Sequence, residues 1–513
     1  MAPAPAVEER DPFIDLLRVV CIAAVVIGHW ATTTVVWEPD RVLSINALSE
    51  IPGTRVATWL LQVMPLVFFA GGYANSVSRR AAGSYLSYLD RRLGRLLLPT
   101  GVFLAVWLVL GIAAEALDPA SAGKARAAEV AALPLWFLGI YLVAVALAPA
   151  MEALHRRVGL WAAVGLVAAV GVVDLVSIGF GLEGVGGANY AFQWLFAHQL
   201  GFAYADGTLQ RWGRRGAAAL TLLGLAVLVL LTTVGGYPVS LVGVPGQERS
   251  NAQPPSLAMV ALTLWLVGLA LLARAVAQRA MRRPGWERLV RGMHRLLLTA
   301  FLWHVTAIIL GGALARAAGA PEPAIGSGLW WALRPVWVLW LLPFFGLLLW
   351  ALGRFEVHPR GRAIGDHPVS AAAAGFGVFA VAVGILGFGE TGFFPFAPAV
   401  GEAILMFTFN PLQNLLHVSL GAAVLWALGA GRGRAAGLAG LGAAVFLAMG
   451  AVRLAGWEPA QRLGMDDFTA WAHIVAGAAA VIALGLGAAL GRAGAHRARP
   501  GPQAQALSGP PGG

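Results

Sequence analysis

"DLLRVVCIAAVVIGHW" runs from Asp15 to Trp30. Apart from Asp15, Arg18 and His29, the stretch suits a lipid interior. Blocks like it recur along the whole chain, which has 513 residues, is 58% hydrophobic and is only 12% charged. A soluble chain of this length carries about twice that share of charge. A helix needs about 20 mostly apolar residues to cross the hydrocarbon layer. Fourteen blocks approach that requirement, from Phe13–Val36 to Phe468–Leu490, and the sixth, Ala191–Tyr204, is the shortest. Nothing alternates with period two over strand lengths, which argues against a lipid-facing barrel. The fold expected is therefore all-α, a polytopic membrane protein of about 14 transmembrane helices.

Charge gives the orientation. Of the 36 Lys and Arg residues, all but Lys124 are arginine. With fourteen crossings, 26 of them fall in segments on the N-terminal side, eight on the other side, and Arg18 and Arg334 inside helices. Basic residues concentrate on the cytoplasmic side of membrane proteins, so both termini are expected in the cytoplasm and the protein in the cell membrane. The same basic loops touch anionic lipid and account for a formal net charge of +11 without any nucleic-acid partner. The start, "MAPAPAVEERDPF", has no basic n-region ahead of a short apolar core, so the first helix is expected to be retained. Cys21, the single cysteine, excludes an internal disulfide; it reads as a small buried hydrophobe, with an acyl-carrying thiol as the other reading.

A polar break, "GRFEVHPRGRAIGDHP" (Gly353–Pro368), divides the chain. The expected organisation is an N-terminal tail at 1–12, ten membrane helices over 13–355, a linker at 356–368, a four-helix unit over 369–491 and a disordered tail at 492–513. Residues 1–365 are expected to suffice for chemistry. The four-helix unit contains a repeat: "NPLQNLLHVSLGAA" from Asn410 and "DDFTAWAHIVAGAA" from Asp466. Asn410 aligns with Asp466, His417 with His473 and Gly421 with Gly477. Small residues at such positions let helices approach closely; the histidines are left open.

Within the opening stretch, Arg18 and His29 are eleven residues apart. On a helix turning about 100° per residue they share a face and lie about 16 Å apart along the axis. Asp15 is placed to pair with Arg18, and snorkelling to the headgroups is the other fate open to this arginine. His29 has no such escape: an ionisable group at depth faces a polar cavity or the bundle interior. Three further stretches join it. "PLVFFAGGYANS" (Pro65–Ser76) puts a glycine pair on helix two. "YLDRRLGRLLLP" (Tyr88–Pro99) brings Arg91, Arg92 and Arg95 together within one helical turn just before helix three. Guanidinium forks suit phosphate oxygens; a topology-setting basic loop is the plainer reading. "FLWHVTA" (Phe301–Ala307) places His304 in the inner half of helix nine.

Taken in order, these stretches resemble the integral-membrane acyltransferase-3 superfamily: Arg-(ten residues)-His on the first helix, Phe-Phe-x-Gly-Gly on the second, Arg-Arg-x-x-Arg before the third, Leu-Trp-His on a late helix, and "LPLWFLGIYLV" (Leu133–Val143). The resemblance spans residues 10–355. The start differs from the usual Leu-Asp-Gly-Leu-Arg-Gly, reading Phe-Ile-Asp-Leu-Leu-Arg-Val. The remainder resembles a four-helix membrane domain of unknown function, marked by Asn-Pro-Leu-x-Asn-x-x-His.

The resemblance implies O-acyl transfer from an acyl-CoA, acetyl-CoA being the expected donor, to a hydroxyl of a cell-envelope glycan, glycolipid or secondary metabolite. No permanently bound cofactor and no metal is expected. Arg91, Arg92 and Arg95 are then the candidates for the nucleotide phosphates. Arg18 is the candidate for a phosphate or the thioester end of the donor. His29 is the candidate general base, with a side chain suited to that task at neutral pH; an acyl-histidine relay stays open. His198, Gln199 and His304 form a second tier. The polar loop Gly236–Ser256 is a candidate lid or an ordinary connector. The alternative function is a secondary transporter or lipid or glycan flippase with a buried relay of His, Asp174 and Arg334. A non-catalytic scaffold is the third.

Overall fold

The computed structural model describes residues 11–37, 42–117, 130–244, 247, 249–356, 361–404 and 406–497. The N-terminal tail to residue 10 and the chain beyond 497 lie outside the described residues.

Fourteen helices make the frame: α1 Pro12–Thr32, α2 Met64–Arg80, α3 Tyr85–Leu117, α4 Leu135–Val158, α5 Trp161–Asp174, α6 Asn189–Ala205, α7 Gly213–Thr233, α8 Leu257–Met281, α9 Leu297–Ala317, α10 Gly328–Leu352, α11 Pro368–Thr391, α12 Pro411–Ala427, α13 Arg432–Leu454 and α14 Asp467–Arg497. Among the described residues, thirteen are long and apolar enough, with their flanking turns, to cross a membrane. The exception, α6, has 17 residues. It is also the most enclosed polar helix. Asn189, Gln193, His198 and Gln199 are all fully buried, and each bonds a neighbouring helix or loop. A helix wrapped by protein needs no lipid-compatible surface, which is why its sequence signal is weak. By contrast α7, α10 and α14 leave most of their apolar surface exposed, including Leu222, Leu339 and Ile482. Such surface requires lipid.

Several boundaries differ from the sequence expectation. α1 stops at Thr32 because the next residues, Thr33–Trp37, are β-branched and aromatic and form a strand, β1. It pairs antiparallel with β2, Val42–Asn46, in register Thr33↔Asn46. A second short hairpin joins β3, Glu402–Ile404, to β4, Phe407–Phe409. α3 begins at Tyr85, so the arginine cluster lies inside this helix rather than before it. α14 continues to Arg497, past the expected start of a disordered tail at 492.

α2 and α6 touch backbone to backbone. A Cβ on Gly72 would fall 2.0 Å from the His198 carbonyl oxygen, and one on Gly201 would fall 2.2 Å from that of Phe69. Any larger side chain at either position would force the helices apart. This accounts for the glycine on α2.

The last four helices pack on the first ten. α11 lies along α4 as well as α12 and α14, and a Cβ on Gly139 would meet Leu386 at 2.5 Å. The linker is stitched to the start of α3. Asp366 accepts from the amides of Tyr85 (2.9 Å) and Leu86 (3.0 Å), satisfying donors that a helix start leaves open. Arg362 bonds Asp90 through its own amide (2.6 Å), Nε (2.9 Å) and Nη2 (2.5 Å), and its Nη1 reaches the Trp426 carbonyl at the end of α12 (3.0 Å).

Candidate active site

His29 lies three residues before the end of α1 and lines a cavity of about 400 Å³. Its Nδ1 is 2.7 Å from His304 Nε2 on α9. His304 Nδ1 is 2.6 Å from the Phe301 carbonyl oxygen. That oxygen can only accept, so His304 Nδ1 carries the proton and its Nε2 is the acceptor when the ring is neutral. His29 must then donate from Nδ1, which leaves the lone pair on His29 Nε2. Trp30 completes the arrangement, its indole nitrogen donating to the His304 carbonyl at 2.9 Å. His304 is fully buried and is absent from the cavity wall. It therefore orients His29 from behind, a role that spacing along the sequence does not reveal, because the two histidines are 275 residues apart.

The cavity wall is mostly apolar and aromatic, with Trp136, Phe301, Trp330 and Trp331. Besides His29, its polar points are Thr32, Asn46, Thr54, Thr58, Gln62 and Gln253. These sit at helix ends and in loops on the side of α1's C-terminus, so His29 serves a chamber on that side. The loop between α7 and α8 covers it: Val242, Gly243, Ala252 and Gln253 belong to the wall. Leu241 donates to the Thr58 hydroxyl (2.9 Å), and Gln62 and Trp59 donate to the carbonyls of Leu241 (3.1 Å) and Val239 (2.8 Å). Within the loop, buried Asn251 ties Pro238 to Ser240 through one amide nitrogen, at 2.6 and 2.9 Å. Of the polar segment Gly236–Ser256, the described residues Val242, Gly243, Ala252 and Gln253 thus form part of the chamber wall.

The arginines lie toward the opposite side. Arg18 Nη1 is 3.1 Å from His294 Nε2, and Asp15 Oδ1 is 3.3 Å from the same atom. His294 ends the surface helix Pro284–His294, so this segment sits on the Arg18 face of α1. Glu356 stands close by. Its carboxylate accepts from the amides of Leu298 (3.0 Å) and Thr299 (2.8 Å) and from the Thr299 hydroxyl (2.7 Å), capping α9. Burial pushes this carboxyl above its ordinary range, against the pull of those donors and of Arg18.

The three arginines of α3 are not equivalent. Arg92 is buried and donates to the Tyr141 hydroxyl on α4 at 2.8 Å. Its Nε and that of Arg91 are buried with no hydrogen-bond partner among the described residues. Arg91 packs against Gly361 of the linker. Arg95 lies one turn further on. Arg92 therefore points into the bundle, where the sequence reading expected one surface fork of three.

Of the second-tier residues, His198 Nε2 is 2.9 Å from the Asn75 amide nitrogen. Gln199 donates to His155 Nδ1 (2.8 Å), which fixes the proton of His155 on Nε2, facing Asp206 at 2.9 Å. Neither residue lines the His29 cavity. Asp174 and Arg334 have local duties. Asp174 accepts from Asn189 (2.8 Å), the Tyr237 hydroxyl (2.9 Å) and the Leu257 amide (2.8 Å), closing the start of α8. Arg334 donates to the Thr33 carbonyl (3.1 Å) and lies over the Trp330 ring at 4.3 Å.

Nothing among curated proteins or solved structures matches the chain. One family does, described as an acyltransferase domain, and its match covers residues 11–354, about two thirds of the sequence and all of α1–α10. The chain belongs to the acyltransferase-3 family of multi-pass membrane proteins.

Proposed function

We propose that this membrane acyltransferase takes an acyl group, acetyl in the simplest case, from a cytoplasmic acyl-CoA and passes it to a hydroxyl of a cell-envelope glycan, glycolipid or secondary metabolite. The observation that carries the reading is the His29–His304 bond. It leaves a lone pair on His29 Nε2, on a ring that lines a chamber large enough for a hydroxyl-bearing acceptor. His29 Nε2 takes the acceptor's proton as its oxygen attacks the thioester carbonyl carbon. The carbon–sulfur bond then breaks, and the proton passes from His29 to the departing thiolate, so the free thiol leaves. While His29 is cationic, its Nδ1–H bond to His304 becomes charge-assisted and strengthens, which favours the transition state over the resting enzyme.

Donor binding is assigned to the other side. Arg91 and Arg92 present buried guanidinium nitrogens with unused capacity, suited to phosphate oxygens. Arg95 extends the same turn, and Arg18, about 16 Å from His29 along α1, lies along the route of an extended thioester arm. Placing both termini in the cytoplasm puts this basic side where acyl-CoA is made and the covered chamber on the outer face.

The test compares envelope glycans and lipids by mass spectrometry in a strain lacking the gene. That strain is complemented with wild type or with His29→Ala. An O-acyl mass increment restored by wild type and not by the variant supports the reading. Restoration by both removes His29 from the chemistry, and an unchanged envelope turns the search to secreted metabolites.

A further inference from the structure

The two copies of the internal repeat meet. Asn410 and Asp466 each cap a helix, accepting from the amides of Gln413 (2.9 Å) and Thr469 (2.7 Å), three residues on. Seven residues after each cap stands a histidine, and each points its Nδ1 at the carbonyl four residues back. His417 Nδ1 is 2.6 Å from the Gln413 oxygen and His473 Nδ1 is 2.7 Å from the Thr469 oxygen. The two Nε2 atoms then face each other at 3.1 Å. Both rings are buried, at 1% and 5% exposure.

Counting protons makes this arrangement unusual. A carbonyl oxygen only accepts, so both Nδ1 atoms must carry hydrogen. Two neutral imidazoles own two hydrogens, and both are now spent. One short contact remains to be satisfied, Nε2 to Nε2, where two lone pairs would otherwise collide. One more proton between the Nε2 atoms satisfies it. Gln413 adds to the case. Its amide is satisfied when its nitrogen reaches the carbonyls of Thr408 (3.3 Å) and Leu463 (3.1 Å). Its oxygen then faces His473 Nε2 at 3.3 Å, as a further acceptor.

We propose that His417 and His473 form a proton-binding site inside the four-helix unit, with one excess proton held between their Nε2 atoms. The pair is enclosed by aromatic and small residues. Phe446 of α13 lies 4.7 Å from the His417 ring and 5.2 Å from that of His473, Phe409 of β4 lies 6.5 Å from His417, and α11 presents Gly384. Of the ionisable groups of these elements, Arg453 bonds the Met465 carbonyl and Asp467, Asp466 accepts from the Thr469 amide, and Arg432, Arg434 and Arg492 stand near the opposite helix ends. Glu390 lies near the end of α11. Among the described residues no Asp, Glu or Cys joins the two imidazoles to make a three-ligand metal set, and a divalent ion without an anionic ligand is costly at this depth. The proton ties α12 to α14 across the approximate symmetry of the repeat, independently of the acyl-transfer reading.

The experiment is nitrogen NMR on the full-length protein in nanodiscs, with 15N-histidine, from pH 5 to 9. The expected result at pH 7 is a correlation across a hydrogen bond between two ε2 nitrogens, with both δ1 nitrogens of the same rings protonated. The His29–His304 pair gives a δ1–ε2 correlation instead, so wild type alone identifies the site, whatever His417→Gln or His473→Gln does to folding. Where those variants fold, each abolishes the ε2–ε2 signal. Two bare ε2 nitrogens across the whole pH range overturn the proposal. So does a stoichiometric transition metal in the purified protein that either substitution removes.

Discussion

Arg362, in the linker, holds Asp90 on α3, one residue before Arg91. The same guanidinium reaches the last turn of α12, so a single side chain joins the four-helix unit to the helix that carries the proposed donor site. The pair is partly exposed, and solvent weakens its contribution to stability. Its effect is expected in positioning. Arg362→Ala should raise KM for acyl-CoA severalfold with kcat little changed, measured by thiol release from protein in nanodiscs. A fall in kcat at constant KM would place the linker's influence elsewhere.

His29→Ala and His304→Ala should both reduce turnover about 100-fold or more, the usual contribution of a positioned base. The two should not be additive if, as proposed, His304 acts through its bond to His29. A double variant no slower than either single one is the expected reading in a turnover assay. Multiplying losses would give His304 a role of its own.

Gly72→Ala should destabilise the protein by about 1–3 kcal/mol, the range for a forced overpacking. A thermal melt in detergent checks this. Gly83→Ala, where a Cβ meets nothing within 4 Å, is the matched control and should melt like wild type.

Glu356 sets a pH dependence. Its folded value is raised by burial, so the folded state holds this proton more tightly than the unfolded one. The stability gained is fully present below the ordinary glutamate value and is lost as pH rises through the higher folded value. Wild type should therefore lose melting temperature across that window relative to Glu356→Gln, which stays neutral throughout. Parallel curves for the two proteins would count against the assignment.

Reporter fusions at both ends should give cytoplasmic signals. The 26-to-8 split of basic residues is counted with an even number of crossings, and α6, the short enclosed helix, decides the parity. An external signal at the C-terminus would mean that Asn189–Ala205 does not cross.

Much of the frame could be read from the sequence, because lipid-facing helices must announce themselves by composition. What could not be read is governed by contacts distant along the chain. The pairing of His29 with His304 depends on how α9 is rotated against α1. Arg92 turns inward because Tyr141 offers it an acceptor, and nothing in "YLDRRLGR" encodes that. The strand at Thr33–Trp37 was legible in its β-branched run but was absorbed into the apolar block of α1. The repeat around His417 and His473 was visible as a pattern, while the facing of its two rings needed the fold.

The backbone contact between α2 and α6 has a mechanical consequence. Two helices separated by side chains can slide, since rotamers absorb the shift. At Gly72 and Gly201 there are no side chains to do so, and these two helices must travel as one rigid stave. Any change in the shape of the His29 chamber is thereby left to the parts of its wall that side chains hold, such as the Thr58 and Gln62 bonds to Leu241, where a rotamer can give without moving a helix.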